Sequence, residues 1–145
     1  MVVNKKEKIL ITGSAGFIGS ALSKKFLLDG YNVVGLDNLD NYYDIKLKKS
    51  RLKFLIEDHK HLLSNWTFYS ASIEDKKKVA EIFNNEKPDI VVNLAAQAGV
   101  RHSLTNPWSY TNTNLVGFGN ILESCCQMNV KHLVYASSSS VYGGN

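Results

Sequence analysis

The segment Thr12-Gly13-Ser14-Ala15-Gly16-Phe17-Ile18-Gly19 is where residue type and spacing first suggest chemistry. It lies between an apolar run, Lys8 to Thr12, and a stretch with helical apolar spacing, Phe17 to Leu28. In this G-x-x-G-x-x-G pattern Gly13 permits a tight turn out of a strand. Gly16 lets an anion approach the backbone, and Gly19 lets helix and strand pack closely. A helix N-terminus also offers free N–H groups and a partial positive charge. These features suit a pyrophosphate, with contacts expected from Gly13, Ser14, Ala15, Gly16, Phe17, Ile18 and Gly19. Asp37 ends the next apolar run, 18 residues beyond Gly19. A carboxylate there can hold both hydroxyls of an adenine ribose and would repel a 2′-phosphate, which favours NAD over NADP.

These residues need a scaffold of alternating strands and helices. Strands are expected at Lys8 to Thr12, Asn32 to Leu36, Trp66 to Tyr69, Asp89 to Asn93 and His132 to Ala136. The first helix is expected to turn Ile18, Ala21, Leu22 and Phe26 inward and to end at Asp29-Gly30. A second, from Ile45 to about Lys60, would bury Leu47, Leu52, Leu55 and Ile56. A third, Asp75 to Asn84, would bury Val79, Ile82 and Phe83. The fourth starts with Asn106 as N-cap and Pro107 as first helical residue. It would run to about Met128 with Leu115, Phe118, Leu122 and Cys125 inward. The alternation predicts an α/β fold: a doubly wound parallel sheet of Rossmann type, strand order 3-2-1-4-5, forming one domain over 1–145. The sequence stops just after the fifth strand, which reads as truncation.

Net charge is +4, from scattered lysines. That field draws an anionic ligand, and no recognised nucleic-acid module accompanies it, so no nucleic-acid partner is expected. No apolar run is long enough to span a membrane, no signal segment opens the chain, and a cytoplasmic protein is expected. Cys125 and Cys126, adjacent on a helix, are expected to be buried reduced thiols. His59 and His61 would face different ways on a helix, so no metal site is expected.

Four further segments accompany the glycine loop. They are Asp37-Asn38-Leu39-Asp40-Asn41-Tyr42-Tyr43-Asp44, Asn93-Leu94-Ala95-Ala96-Gln97-Ala98-Gly99-Val100-Arg101, Asn114-Leu115-Val116-Gly117 and Ser137-Ser138-Ser139-Ser140-Val141-Tyr142-Gly143. Together they resemble the extended short-chain dehydrogenase/reductase family acting on nucleotide sugars, most of all the UDP-glucuronate 4-epimerases. The resemblance spans the whole chain. It implies NAD as cofactor, a UDP-sugar substrate, reversible hydride transfer at sugar carbon 4, and a homodimer for the full-length protein.

By position, the resemblance implies that Leu94, Ala95, Ala96 and Gln97 border the cofactor and that Asn38 and Asn41 flank the adenosine. Asn114 either supports the active-site wall or ties its helix to a neighbouring carbonyl. Gly117 is expected to permit close packing, whereas Gly119 matches no family pattern. Ser138 is implied as the catalytic hydroxyl, with Ser139 the neighbouring candidate. Arg101 either contacts the anionic substrate or is an ordinary loop arginine.

Two departures stand out. Ser72 occupies the place where the family usually has an Asp before Ile, so adenine binding there would rest on Ile73. The family's Tyr-x-x-x-Lys pair is absent: only Tyr42 has a lysine four positions on, Lys46, and it lies at the adenosine end. The chain is therefore expected to be the NAD-binding part of an epimerase, binding NAD weakly and inactive alone. A 4,6-dehydratase would carry Asp-Glu where Ser139 and Ser140 stand. A decarboxylase, a 4-epimerase for UDP-glucose or UDP-GalNAc, and a non-catalytic NAD-sensing regulator are the other readings.

Overall fold

Strands buried on both faces read as continuous apolar runs, and β1 (Lys8–Thr12) and β2 (Asn32–Asp37) are such runs. In the computed structural model, which describes residues 6–57 and 60–144, their alternate residues feed two cores. Ile9, Ile11 and Val33 join Leu27, Leu55 and Val92 on one face. Leu10, Val34 and Leu36 join Val79, Ile82, Phe83, Val91 and Ile121 on the other. β3 (Trp66–Ser70), β4 (Ile90–Asn93) and β5 (His132–Tyr135) complete a wholly parallel sheet of order β3-β2-β1-β4-β5. This is the expected doubly wound order.

The helices are α1 (Phe17–Leu28), α2 (Ile45–Glu57), α3 (Lys76–Glu86), α4 (Val100–Thr105), α5 (Pro107–Tyr110) and α6 (Phe118–Gln127). A π-helical segment, Thr111–Gly117, joins α5 to α6. Asp75 caps α3 by accepting from Lys78 N at 3.0 Å. Asn106 caps α5, with Pro107 opening the helix as expected.

Four expectations are corrected. In α1 Leu22 and Phe26 pack against the core as expected, but the fully buried positions are Gly19, Ser23 and Leu27, and Ile18 and Ala21 are exposed. Glycine holds position 19 because the helix packs tightly on the turn before it: a Cβ there would lie 2.1 Å from Gly13 O. In α2 Leu47 is exposed and Lys48 is buried, so Lys48 joins Leu52 and Leu55 on the inward side; the side chain of Ile56 lies outside the described residues. The helix ends at Glu57 and a 3₁₀ turn, Lys60–Asn65, follows; His59 and its neighbour at 58 lie outside the described residues.

In the long helical stretch, Leu115 and Leu122 are exposed, whereas Gly117, Ile121, Ser124 and Cys125 are buried. A π turn adds a residue to the local repeat and rotates the downstream face away from the phase a regular helix would keep. Of the two free cysteines, Cys126 is exposed and Cys125 is buried; burial pushes the Cys125 thiol up to about 11. No helix among the described residues is long and apolar enough to cross a membrane.

Candidate functional site

β1 leaves the sheet at Gly13, whose φ of +67° is the left-handed turn that glycine permits. A Cβ there would lie 2.9 Å from Ala95 N, so the turn abuts the segment after β4. Gly16 N donates to Gly13 O at 2.9 Å, closing the turn. Gly16 is also the N-cap of α1, and no side chain caps the helix. The leading amides, from Phe17 onward, are thus left to an external acceptor.

Asp37, 6 % exposed, ends β2 beside this turn. Its Oδ2 accepts from Ala15 N at 3.0 Å and its Oδ1 from Leu39 N at 2.8 Å. Lys48 Nζ stands 3.3 Å from Oδ1, a buried ion pair. Two cations approach the Tyr43 ring: Lys48 Nζ is 5.2 Å and the Arg51 guanidinium 5.9 Å from its centroid. Arg51 also donates to the Tyr43 hydroxyl at 3.2 Å and to Ala15 O at 3.4 Å.

The segment after β4 is fixed by side chains that bond backbone. Thr12 Oγ1 donates to Asn93 Oδ1 at 2.6 Å and accepts from Leu94 N and Ala95 N at 3.1 Å each. Asn114, in the π-helical segment, grips Gln97 at both ends: its Oδ1 accepts from Gln97 N at 2.8 Å, and its Nδ2 donates to Gln97 O at 3.0 Å. Asn120 Nδ2 donates to Ile73 O at 2.9 Å and Glu74 O at 3.1 Å. Ser72 Oγ accepts from Glu74 N at 3.2 Å. Past β2, Asn38 Oδ1 accepts from Asp40 N and Asp40 Oδ1 from Tyr42 N, successive Asx turns that shape the loop.

These elements enclose a cleft of about 300 Å³ at the carboxyl ends of β1, β2 and β4. It brings together Gly13, Gly16, Asp37, Asn38, Ser72, Ile73, Leu94, Ala95, Ala96 and Gln97. Tyr43, from the Asp37 to Asp44 segment, also lines it, as do Lys48 and Thr113, to which the sequence reading assigned no role. The signal for Lys48 was its place in the stripe with Leu52 and Leu55. A second cleft of about 580 Å³ shares the Ala95–Gln97 wall and adds Asn114, Tyr110 and Ser138.

Other candidates lie outside both clefts. Ser14 and Ala15 are buried, whereas Phe17 and Ile18 present exposed side chains and Gly19 is buried against the turn. Asn41 lines a neighbouring hollow with Tyr42 and His102. Arg101 is exposed in the first turn of α4, and Ser139 is exposed at the start of the turn Ser139–Tyr142.

A cleft at the carboxyl edge of a doubly wound sheet, with a glycine turn and an acid on β2, is dinucleotide geometry. Comparison agrees with it: the family model described as GDP-mannose 4,6 dehydratase matches residues 10–145. The chain belongs to this nucleotide-sugar epimerase and dehydratase family. Among its relatives, the protein CapI of Staphylococcus aureus is 49% identical over 138 residues, covering 95% of this chain and 40% of CapI. The UDP-glucuronate 4-epimerase of Thermodesulfobacterium geofontis is 42% identical over 135 residues, 93% of this chain and 40% of that protein. The crystal structure of a Thermus thermophilus UDP-glucose 4-epimerase in complex with NAD superposes with a TM-score of 0.72 and 34% identity, over 90% of this chain and 37% of that one. The chain thus spans about 40% of the length of these relatives.

Proposed function

We propose that this chain is the NAD-binding part of an NAD-dependent UDP-sugar 4-epimerase whose substrate is UDP-glucuronate. The observation that carries this reading is the shared aim of two features. The uncapped N-terminus of α1 and the Asp37 carboxylate face one cleft, and Asp37 Oδ2 is hydrogen-bonded to the same turn through Ala15 N. The residues fit the cofactor. Gly13 and Gly16 line the cleft, and a Cβ at either would lie 2.9 Å from backbone atoms, so the turn keeps its shape only with glycine there. Bound there, NAD supplies a reversible acceptor for hydride.

In this reading the α1 amides hold the pyrophosphate and Asp37 accepts from the adenine ribose. The small side chains of Ala95 and Ala96 let the dinucleotide lie along the backbone. Ile73 and Ser72 border the adenine, with Asn38 and Asn41 beside it. Asn114 acts through Gln97, holding the wall between the two clefts. Ser138 hydrogen-bonds the reacting sugar oxygen, and Arg101 pairs with the anionic sugar. The 4-epimerase is preferred to a dehydratase because Ser139 and Ser140 carry no carboxylate to move a proton and water. These 145 residues contain no Tyr-x-x-x-Lys away from the adenosine end. The chain alone is therefore expected to bind NAD weakly and to turn over no UDP-sugar.

Titration of NAD into the ¹⁵N-labelled chain tests the reading. The amides of Phe17, Ile18 and Gly19 are expected to shift, and Asp37→Ala to weaken the response about tenfold or more. Unmoved amides at saturating NAD refute cofactor binding, and conversion of UDP-glucuronate by the chain alone refutes the division of labour.

A further inference from the structure

We propose that Asp40 reads the purine base of the dinucleotide: its carboxylate accepts from a 6-amino group and rejects a 6-oxo group, so the chain separates adenine from hypoxanthine. This rests on the NAD reading above. Asp40 lines the first cleft and also the polar hollow beside it, and Ser72 does the same. The two residues therefore stand where the cleft opens into the hollow, Asp40 on the loop after β2 and Ser72 on the loop after β3. Ala71 and Ile73, which line the cleft on either side of Ser72 in the chain, offer apolar surface to the flat face of a base. Its polar edge is left to the side chains at the opening.

Those side chains differ in what they can still bind. Ser72 Oγ accepts from Glu74 N at 3.2 Å, Asn38 Oδ1 accepts from Asp40 N at 3.0 Å, and Thr113 Oγ1 donates to Glu74 Oε1. Hydroxyls and carboxamides both give and take hydrogen bonds, so none of these three separates an amino from an oxo group. A carboxylate only accepts. Asp40 Oδ1 accepts from Tyr42 N at 2.7 Å, which fixes the side chain in an Asx turn. Its Oδ2 makes no hydrogen bond among the described residues, and Asp40 forms no salt bridge among them. The other carboxylate of the cleft, Asp37, already accepts from Ala15 N and Leu39 N and is paired with Lys48. Glu74 lines the hollow but not the cleft, and the Thr113 hydroxyl occupies its Oε1. A 6-amino group gives Asp40 Oδ2 the donor it lacks. A 6-oxo group there sets two acceptors against each other, one of them charged.

The test compares dissociation constants for NAD and nicotinamide hypoxanthine dinucleotide in the wild-type chain, Asp40→Asn and Glu74→Gln. The wild type is expected to bind the hypoxanthine form about tenfold more weakly, the loss of one charged hydrogen bond. In Asp40→Asn the new Oδ1 still accepts from Tyr42 N, so the loop keeps its turn, while Nδ2 puts a donor where Oδ2 stood. The ratio is then expected to fall to one or below. A purely structural Asp40 would weaken both dinucleotides alike. Glu74→Gln is expected to keep the wild-type ratio. Equal constants in the wild type, or a ratio unchanged in Asp40→Asn, overturn the proposal, and so does a ratio that collapses in Glu74→Gln. If neither dinucleotide shifts the Ile18 and Gly19 amides, the NAD reading fails and takes the inference with it. Shifted amides with equal constants overturn the inference but leave NAD binding intact.

Discussion

Adding one methyl group at Gly19 and one at Gly119 should change stability in opposite directions. A Cβ at Gly19 would lie 2.1 Å from Gly13 O, 2.8 Å from Gly13 C and 2.9 Å from Ser14 Cα. Real Cβ contacts are essentially never under 3.0 Å, so α1 would have to retreat by close to 1 Å. All three obstructing atoms are backbone, and none can rotate aside. Overpacking of this kind costs about 3 kcal/mol, the upper end of its usual range. Replacing a helical glycine by alanine returns about 1 kcal/mol of propensity. The net expectation for Gly19→Ala is a loss of about 2 kcal/mol, together with weakened NAD binding as the α1 amides move.

Gly119 has no heavy atom within 4 Å of its would-be Cβ, so Gly119→Ala keeps the propensity gain and should stabilise by about 1 kcal/mol. Gly117 falls between them. Its obstruction is the Ile73 side chain, with Cγ1 at 2.7 Å, and that side chain can partly adjust. Urea unfolding followed by circular dichroism would rank the three variants. Gly19→Ala matching the wild type, or Gly119→Ala falling below Gly117→Ala, would refute the packing argument.

Thr12→Val keeps the shape of a buried residue but strips the partner from Asn93 Oδ1 and Ala95 N; unfolding should show a loss of about 3 kcal/mol. Ser14→Ala should raise stability by about 1 kcal/mol in the same assay, because Ser14 Oγ is buried with no hydrogen-bond partner among the described residues. The Lys8–Glu86–Tyr69 chain predicts a pH profile. The hydrogen bond to Glu86, with burial and the carboxylate charge, pushes Tyr69 up to about 12. A raised folded-state value means stability is whole below pH 10 and falls as pH climbs from about 10 to 12. Tyr69→Phe should remove that alkaline loss in a pH series of unfolding midpoints. Burial raises the Glu86 carboxyl, but bonds from Lys8 and Tyr69 and the Lys8 charge outweigh it and hold it low. Its contribution is therefore present above the ordinary carboxylate range and lost as pH falls below it.

The sheet was legible because its central strands β1, β2 and β4 are apolar runs ended by a glycine or polar residue and buried on both faces. The edge strands β3 and β5 are short runs rich in aromatic and β-branched residues. The glycine turn and Asp37 were legible for the same kind of reason: one chemistry needs them at one spacing. Helix faces were harder to read. Only α3 shows the stripe its apolar residues announce, Val79, Ile82 and Phe83. In α1 the closest packing belongs to Gly19 and Ser23, which no hydrophobic pattern selects. In α2 a lysine is drawn inward by a carboxylate eleven residues earlier, a contact made only once β2 and α2 are docked. α4 is six residues long, capped by no side chain, and leaves no periodic trace. Asn38 and Asp40 were visible as polar loop residues, but their side chains bond the loop's own backbone.

That last pattern bears on how the site binds. Thr12, Asn114, Asn120, Asn38 and Asp40 each use a polar side chain to fix a backbone that borders the first cleft or its wall. Loops held this way need little further ordering when a ligand arrives, so less of its interaction energy is lost to entropy. The second cleft is built differently. Its β5 side is formed by Tyr135, Ala136, Ser137 and Ser138, all exposed, and Ala136 is tied to the sheet by the ladder bond from its N–H to Asn93 O at 3.1 Å. The adenosine half of a dinucleotide would therefore meet a preformed, half-enclosed surface, and the nicotinamide half a more open one. Affinity in this chain should then reside mainly with the adenosine and pyrophosphate, where Asp37, Lys48 and the α1 amides converge.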